Sequence, residues 1–294
     1  VTNSTTTVAR LNAPPLDARL THAVSVPVRR RNKAPSRQLV IGLQVIVIAA
    51  FLSGWEWLPL VPGLNELPLL NRDYVSSPSL IASRTWDLLT GENSATIWQA
   101  LGNTMQSTLI GLALGTIIGG AAGLVLSQNP FAAKVAQPYV ALLNATPLIA
   151  FLPIIVVIFG ISTTATSVAA GLLVVVLIFF NALEGGTSVR AEILSNTRLL
   201  GAGPAGTMFR VRLPYVIAWV CAVLPAAMSF ALVGVVGTEF MVGVPGIGRQ
   251  ITIALSFADT TLTLSLAVIL GVTGVILYAV LSFAQERVMH WWGK

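Results

Sequence analysis

The chain has 294 residues, 55% of them hydrophobic and only 10% charged, with a formal net charge of +6 and a mean hydropathy of +0.81. Soluble domains carry roughly 25% charged residues, so the composition excludes an ordinary soluble globular protein. The apolar residues fall in runs of about 20, enough to cross roughly 30 Å of hydrocarbon as helices, and the expected fold class is all-α: a polytopic membrane protein with six transmembrane helices.

Residues 1–38 are rich in Thr, Ala, Pro and Arg and lack apolar periodicity. They are expected to form a disordered basic cytoplasmic tail ending in Arg29, Arg30, Arg31, Lys33 and Arg37, ahead of a transmembrane domain over 39–294. The first apolar run, Leu39 to Leu58, is too long for a signal peptide and lacks a small-residue cleavage site. It reads as an uncleaved span with Trp55 and Trp57 in the interfacial belt.

Pro59 ends that span. A mixed segment runs to about Asn103, and its Ser79–Leu101 part has helical spacing and is expected to lie along the membrane surface. The second span, about 104–126, carries Gly111, Gly115, Gly119 and Gly123. A glycine every fourth residue forms a stripe down one helix face, and helix packing is its expected role. After the turn Gln128-Asn129-Pro130, a third span, about 137–159, is interrupted by Pro147 and Pro153. Freed backbone carbonyls at that depth must be satisfied by protein or a wet cavity.

The fourth span, about 165–183, leads into Glu184–Pro214, roughly thirty largely polar and basic residues between two apolar runs. Val189–Leu200 reads as a short helix with Val189, Ile193 and Leu200 near one face and Arg190 and Arg198 on others. Gly201 stops it, Gly203-Pro204 suits the start of a second short helix, and Leu213-Pro214 closes the stretch. The fifth span, about 215–236, contains Pro225. A loop over 237–259 and the sixth span, about 260–283, follow, with Trp291 and Trp292 beyond at the interface.

Six spans put both termini on one side. That side holds seven Lys and Arg in residues 1–38, Lys134, four in the 184–214 stretch and two after the last span, leaving Arg72, Arg84 and Arg249 opposite. By the positive-inside rule the termini and the 184–214 stretch are expected in the cytoplasm. The basic balance is topology, not a nucleic-acid footprint, and the lipid bilayer is the partner it implies.

No chemistry of catalysis is legible. There is no G-x-x-x-x-G-K-[ST] sequence, and the glycines from Gly243 to Gly248 lack its lysine and its strand–helix setting. His22 and His290 are isolated, and Cys221 stands alone in an apolar run as a packing residue. No catalytic residue, metal site or cofactor is expected in this chain. Polar groups within spans are functional candidates because they are costly in hydrocarbon. Asn144, Thr146 and Pro147 are candidates for a translocation pathway, with helix–helix hydrogen bonding equally open for the polar pair. Glu239 reads either as a gate or pathway acid or as a solvated acid at the edge of span five. Asn181 and Glu184 read as capping or gating residues.

Gly201, nine residues, Val211, Arg212 and then Leu213-Pro214 resembles the cytoplasmic EAA loop of permeases of binding-protein-dependent ABC importers. Ser195-Asn196-Thr197 stands where that pattern has Glu-Ala-Ala. The resemblance extends from about Pro78 onward. Leu142 to Ser162, and Thr238-Glu239-Phe240 followed by Gly246-Ile247-Gly248, look like the nitrate/sulfonate/taurine-type permeases.

The resemblance implies a type I ABC-importer permease architecture in a bacterial plasma membrane. Two copies, or one copy and a related permease, would enclose the pathway, and an external solute-binding protein would deliver substrate. Cytosolic ATPase subunits, holding ATP and Mg, would engage Arg198, Gly201, Ala202, Gly203, Val211, Leu213 and Pro214 and drive alternating access. The implied cargo is a small anion of the sulfonate, taurine or nitrate kind. The rival reading is an ion-coupled secondary transporter, which calls for buried acids or histidines in mid-span and an inverted repeat. Spans two to six offer no such acids or histidines.

Overall fold

A computed structural model describes residues 36–61 and 71–289. The expected tail lies almost wholly outside these residues, as do His22, His290, Trp291 and Trp292. The chain divides into two units, residues 1–50 and 51–294. The first is described only through the larger part of helix α1 (Arg37–Trp57), which begins two residues before the expected span.

In the second unit the described elements are all helical. The end of α1 is followed by a short helix α2 (Arg72–Val75) and by α3 (Pro78–Thr90). Glu56 organises this corner: its carboxylate accepts hydrogen bonds from the Ser79 N–H at 3.0 Å and the Ser79 hydroxyl at 2.9 Å, and pairs with Arg72 at 3.3 Å. An acid at the first turn of α3 satisfies an N–H that has no partner within the helix. Gly91 ends α3, and α4 (Ser94–Leu126) starts three residues later. The expected surface helix over Ser79–Leu101 is therefore two pieces, and its second piece is the first two turns of a 33-residue helix about 50 Å long.

The third expected span is broken. Helix α5 (Pro130–Ala145) stops at Thr146, whose backbone is extended (ψ 130°) because the ring of Pro147 disfavours helix in the residue before it. A 3-10 turn over Leu148–Phe151 leads to α6 (Leu152–Phe159), where Pro153 fits because a first helical turn needs no N–H there. Helix α7 (Thr163–Thr187) follows, its Ser162 hydroxyl accepting from the Ala165 N–H at 3.3 Å. Next come α8 (Ala191–Leu199), α9 (Pro204–Thr207), α10 (Leu213–Val242), α11 (Ile247–Ser256) and α12 (Thr260–Met289).

The protein is an all-α, multi-pass membrane protein. Among the described residues five helical stretches are long and apolar enough to cross a membrane: 38–60, 94–126, 163–187, 204–242 and 260–287. Of the six expected spans, the interrupted third, about 137–159, is not among these five; its residues form α5, the 3-10 turn and the short apolar α6. The loop expected over 237–259 is corrected, since α10 runs on to Val242 and α11 fills much of the remainder.

Helices α4, α7, α10 and α12 share one core, with Leu112, Val174, Ile178, Met228 and Ala231 at its centre. Gly111, Gly115, Gly119 and Gly123 all lie on the buried face of α4 against α7. A Cβ at Gly119 would stand 2.6 Å from the Val175 carbonyl oxygen, and one at Gly123 would stand 2.8 Å from the Leu183 nitrogen. The two backbones are in contact, which is how helices associate where lipid removes most of the hydrophobic driving force. Sequence inspection of α4 alone missed the partners: Ala170, Gly171 and Ala182 supply matching small residues on α7, and Gly234 brings α10 within 2.9 Å of Ala170 Cα by the same measure. The hydroxyls of Thr166 and Ser107, buried between α7 and α4, bond each other at 2.9 Å.

Candidate functional site

The 184–214 stretch is built by short-range rules. Helix α7 runs through Glu184 to Thr187, so Glu184 sits in its last turn, and Asn181 bonds back to the Leu177 carbonyl at 2.8 Å. In α8, Glu192 lies in the first turn and Arg198 in the last, each at the end whose partial charge it complements. Gly201 then takes φ +81°, a left-handed conformation that a side chain would strain. The Gly201 N–H bonds the Arg198 carbonyl at 2.9 Å and the Ala202 N–H bonds the Thr197 carbonyl at 3.1 Å. Together these bonds form a Schellman motif, which satisfies the last carbonyls of α8. Val189 is buried and Ile193 half-buried, but Leu200 leaves the helix at this turn and is exposed.

Leu213-Pro214 does not close the stretch as a boundary. After Gly203 the chain is helical from Pro204 without interruption into α10. A single wide turn over Met208–Arg212 has the Leu213 N–H bonding the Met208 carbonyl five residues back. It lies just ahead of Pro214, whose ring would crowd the carbonyl of Arg210 in a regular helix. Within it Arg212 is only 8% exposed and donates from Nη1 to the carbonyl of Ser127, the residue that caps the C-terminus of α4. A guanidinium at that negative helix end is favourable. Ser127 in turn packs under Gly186 of α7, where an added Cβ would overlap the hydroxyl. Val211 and Leu213 are half-buried, Leu213 against the main core.

Thr146 and Pro147 come together at the break after α5, in an apolar cleft of about 340 Å³ that also takes in Leu173, Ser229, Phe230 and Val233. The Thr146 hydroxyl bonds its own helix, at the Leu142 carbonyl. Asn144 lies in the last turn of α5. No charged side chain lines this cleft.

Glu239 is elsewhere. It is 1% exposed, near the end of α10 remote in sequence from the 184–214 stretch, so the solvated reading is corrected. Its carboxylate accepts from the Thr104 hydroxyl at 2.8 Å and the Gly248 N–H at 2.9 Å, while the Thr104 oxygen accepts from the Ile247 N–H at 3.0 Å. Three helices meet there: α4, α10 and the N-terminus of α11. The glycines beside it have a steric reason. A Cβ at Gly246 would overlap the Glu239 carboxylate, and one at Gly248 would stand 2.8 Å from Glu239 Cβ and 2.9 Å from the Val236 carbonyl. Among the described residues no group of three or more His, Cys, Asp or Glu is placed to hold a metal ion.

Residues 111–292 match the family model of the binding-protein-dependent transport system inner membrane component. The chain belongs to this family of ABC-importer permeases. It is 24% identical over 264 residues to the taurine transport system permease protein TauC of Escherichia coli, covering 88% of this chain and 92% of the relative. It is 26% identical over 215 residues to the riboflavin transport system permease protein RibX of Chloroflexus aurantiacus, covering 73% and 79%. Its fold is similar to that of a chain in the crystal structure of an amino acid ABC transporter with histidines, with a TM-score of 0.56 and 19% identity over 68% of this chain and 97% of the other.

The permease moves a small solute across the membrane, and the ATP hydrolysis that drives such importers resides in a separate subunit. Sequence reasoning missed Arg212, Ser127 and Thr104 as members of buried polar contacts in this permease. The one signal, which concerns Thr104 alone, was the acid-then-glycine spacing from Glu239 to Gly248, which has meaning once the backbone must approach a carboxylate.

Proposed function

We propose that this permease imports a small anion of the sulfonate, taurine or nitrate kind by alternating access, paired with a second copy or a related permease. In this reading residues 130–159 complete a set of six crossings as a broken third span. Both termini and the 184–214 stretch then face the cytoplasm, where the arginine-rich loops of a bacterial plasma-membrane protein belong. Arg198, Gly201, Ala202, Gly203, Val211, Leu213 and Pro214 form the coupling segment for two cytosolic ATPase subunits that bind ATP and Mg. A solute-binding protein docks at the opposite face, and residues 1–38 are an added cytoplasmic tail.

The observation that carries this reading is the continuous helix from Pro204 to Val242. Because α9 runs into the fifth span through one wide turn, a push on the α8–α9 corner is delivered to a core helix without an intervening loop. The cleft at Thr146 and Pro147, free of charged side chains, suits a passage, and it leaves selectivity mainly to the binding protein.

Uptake into vesicles holding the permease and its ATPase is expected to require ATP. Uptake driven by an ion gradient with no ATPase present would overturn the proposal in favour of a secondary transporter. Gly201→Arg is expected to weaken ATPase binding at least tenfold while membrane insertion is unchanged. The substitution forces a bulky side chain into a left-handed position at the corner itself. Binding retained in that variant would remove Gly201 from the contact.

A further inference from the structure

At the base of the 184–214 stretch lies a cavity of about 390 Å³ whose lining includes Gln128, Arg198, Ala202, Met208 and Arg212. Two guanidinium groups face it and no carboxylate lines it. Their charges oppose each other, and among the described residues neither forms an ion pair. Arg212 uses Nη1 on the Ser127 carbonyl, Arg198 makes no side-chain hydrogen bond to any described residue, and the Gln128 amide is turned to the Met208 sulfur at 3.3 Å. A nine-tenths buried arginine with a second arginine at the same cavity and no acid is an incomplete arrangement, because buried charges are ordinarily paired.

We infer that this cavity receives an acidic side chain, Asp or Glu, of the ATPase subunit, held between Arg198 and Arg212. The inference rests on the reading of the 184–214 stretch as the ATPase contact and adds the chemistry of that contact. Guanidinium groups bind carboxylates through paired N–H donors, so two of them can hold one carboxylate in a fixed orientation.

The surroundings favour a protein over a lipid phosphate. Leu199 and Leu200, which follow Arg198 directly, are 85% and 88% exposed. Sinking these leucines into acyl chains would carry the exposed Ser195, Asn196 and Arg210 of the same stretch toward hydrocarbon, at a cost in desolvation. A protein groove with an acid beside it covers the leucine pair and neutralises the arginines together, the usual composition of an interface core and rim.

The test measures binding of the ATPase encoded with this permease to permease in nanodiscs, one set of neutral phosphatidylcholine and one containing anionic lipid. Arg198 is exposed, so its substitution does not endanger folding. Arg198→Glu is expected to weaken binding at least tenfold in both sets and to flatten the dependence on salt, while Arg198→Lys, which keeps the charge but not the paired donors, falls between the parent protein and Arg198→Glu. Weakening confined to anionic discs would mean the cavity holds a headgroup phosphate and would overturn the inference. Unchanged binding by Arg198→Glu, with Gly201→Arg still disrupting it, would also overturn the inference but leave ATPase docking standing. Unchanged binding by both variants would overturn the docking reading with it.

Discussion

Gly119→Leu is expected to abolish the stable packing of α4 on α7, whereas Gly120→Leu, one residue along, is expected to leave it intact. The two glycines share a helix, a depth and a composition, and differ in azimuth. A Cβ at Gly119 would stand 2.6 Å from the Val175 carbonyl and 3.0 Å from the Phe179 nitrogen, both backbone atoms that cannot rotate away. A Cβ at Gly120 meets only the Ile178 methyl at 3.9 Å, an ordinary contact. Overpacking typically costs about 1–3 kcal/mol where side chains can adjust. Here whole helices must part, so the loss at Gly119 is expected at or above about 3 kcal/mol by the same reasoning. Thermal unfolding in detergent, followed by size-exclusion chromatography, measures it. Equal behaviour of the two variants would mean that the stripe is not the contact that holds the bundle.

Glu239→Ala is expected to release the N-terminus of α11 from the bundle. The substitution removes the acceptor for the Gly248 N–H and the Thr104 hydroxyl, both buried, and leaving a buried donor unsatisfied costs about 1–3 kcal/mol each. Glu239→Gln keeps the shape and one acceptor oxygen, and its effect is expected to be smaller. Gly248→Ala is expected to resemble Glu239→Ala, because its methyl would drive the carboxylate away. Arg249, exposed on α11, provides the readout: tryptic cleavage after it is expected to accelerate at least tenfold in Glu239→Ala and Gly248→Ala. A cleavage rate equal to that of the parent protein would show that Glu239 does not hold α11 in place.

Of these two contacts, the α4 stripe was legible in the sequence and the Glu239 site was not. The stripe on α4 was legible because a glycine every fourth residue and a period of 3.6 are properties of one helix. The turn at Gly201 was legible for the same reason, since its hydrogen bonds all fall within α8 and the three residues after it. The break after α5 was half legible. Pro147 announced an interruption, but the pattern alone did not say that the helix would stop outright and restart as α6. The wide turn ahead of Pro214 was read as a boundary because proline usually marks one, while in the folded chain one five-residue hydrogen bond carries the helix past it.

The sequence by itself determined that this is an all-α membrane protein, where its apolar runs lie, which face of α4 packs, and that the chain resembles an importer permease. Each rests on residues within a few turns of one another, where helix geometry leaves little choice. Only the tertiary structure decided that Glu239 reaches Thr104 across 135 residues, and that Arg212 reaches Ser127 across 85. Such contacts depend on the rotation and register of one helix against another. Those are set by the summed packing of small residues on α4, α7 and α10, not by any local pattern around the polar groups themselves.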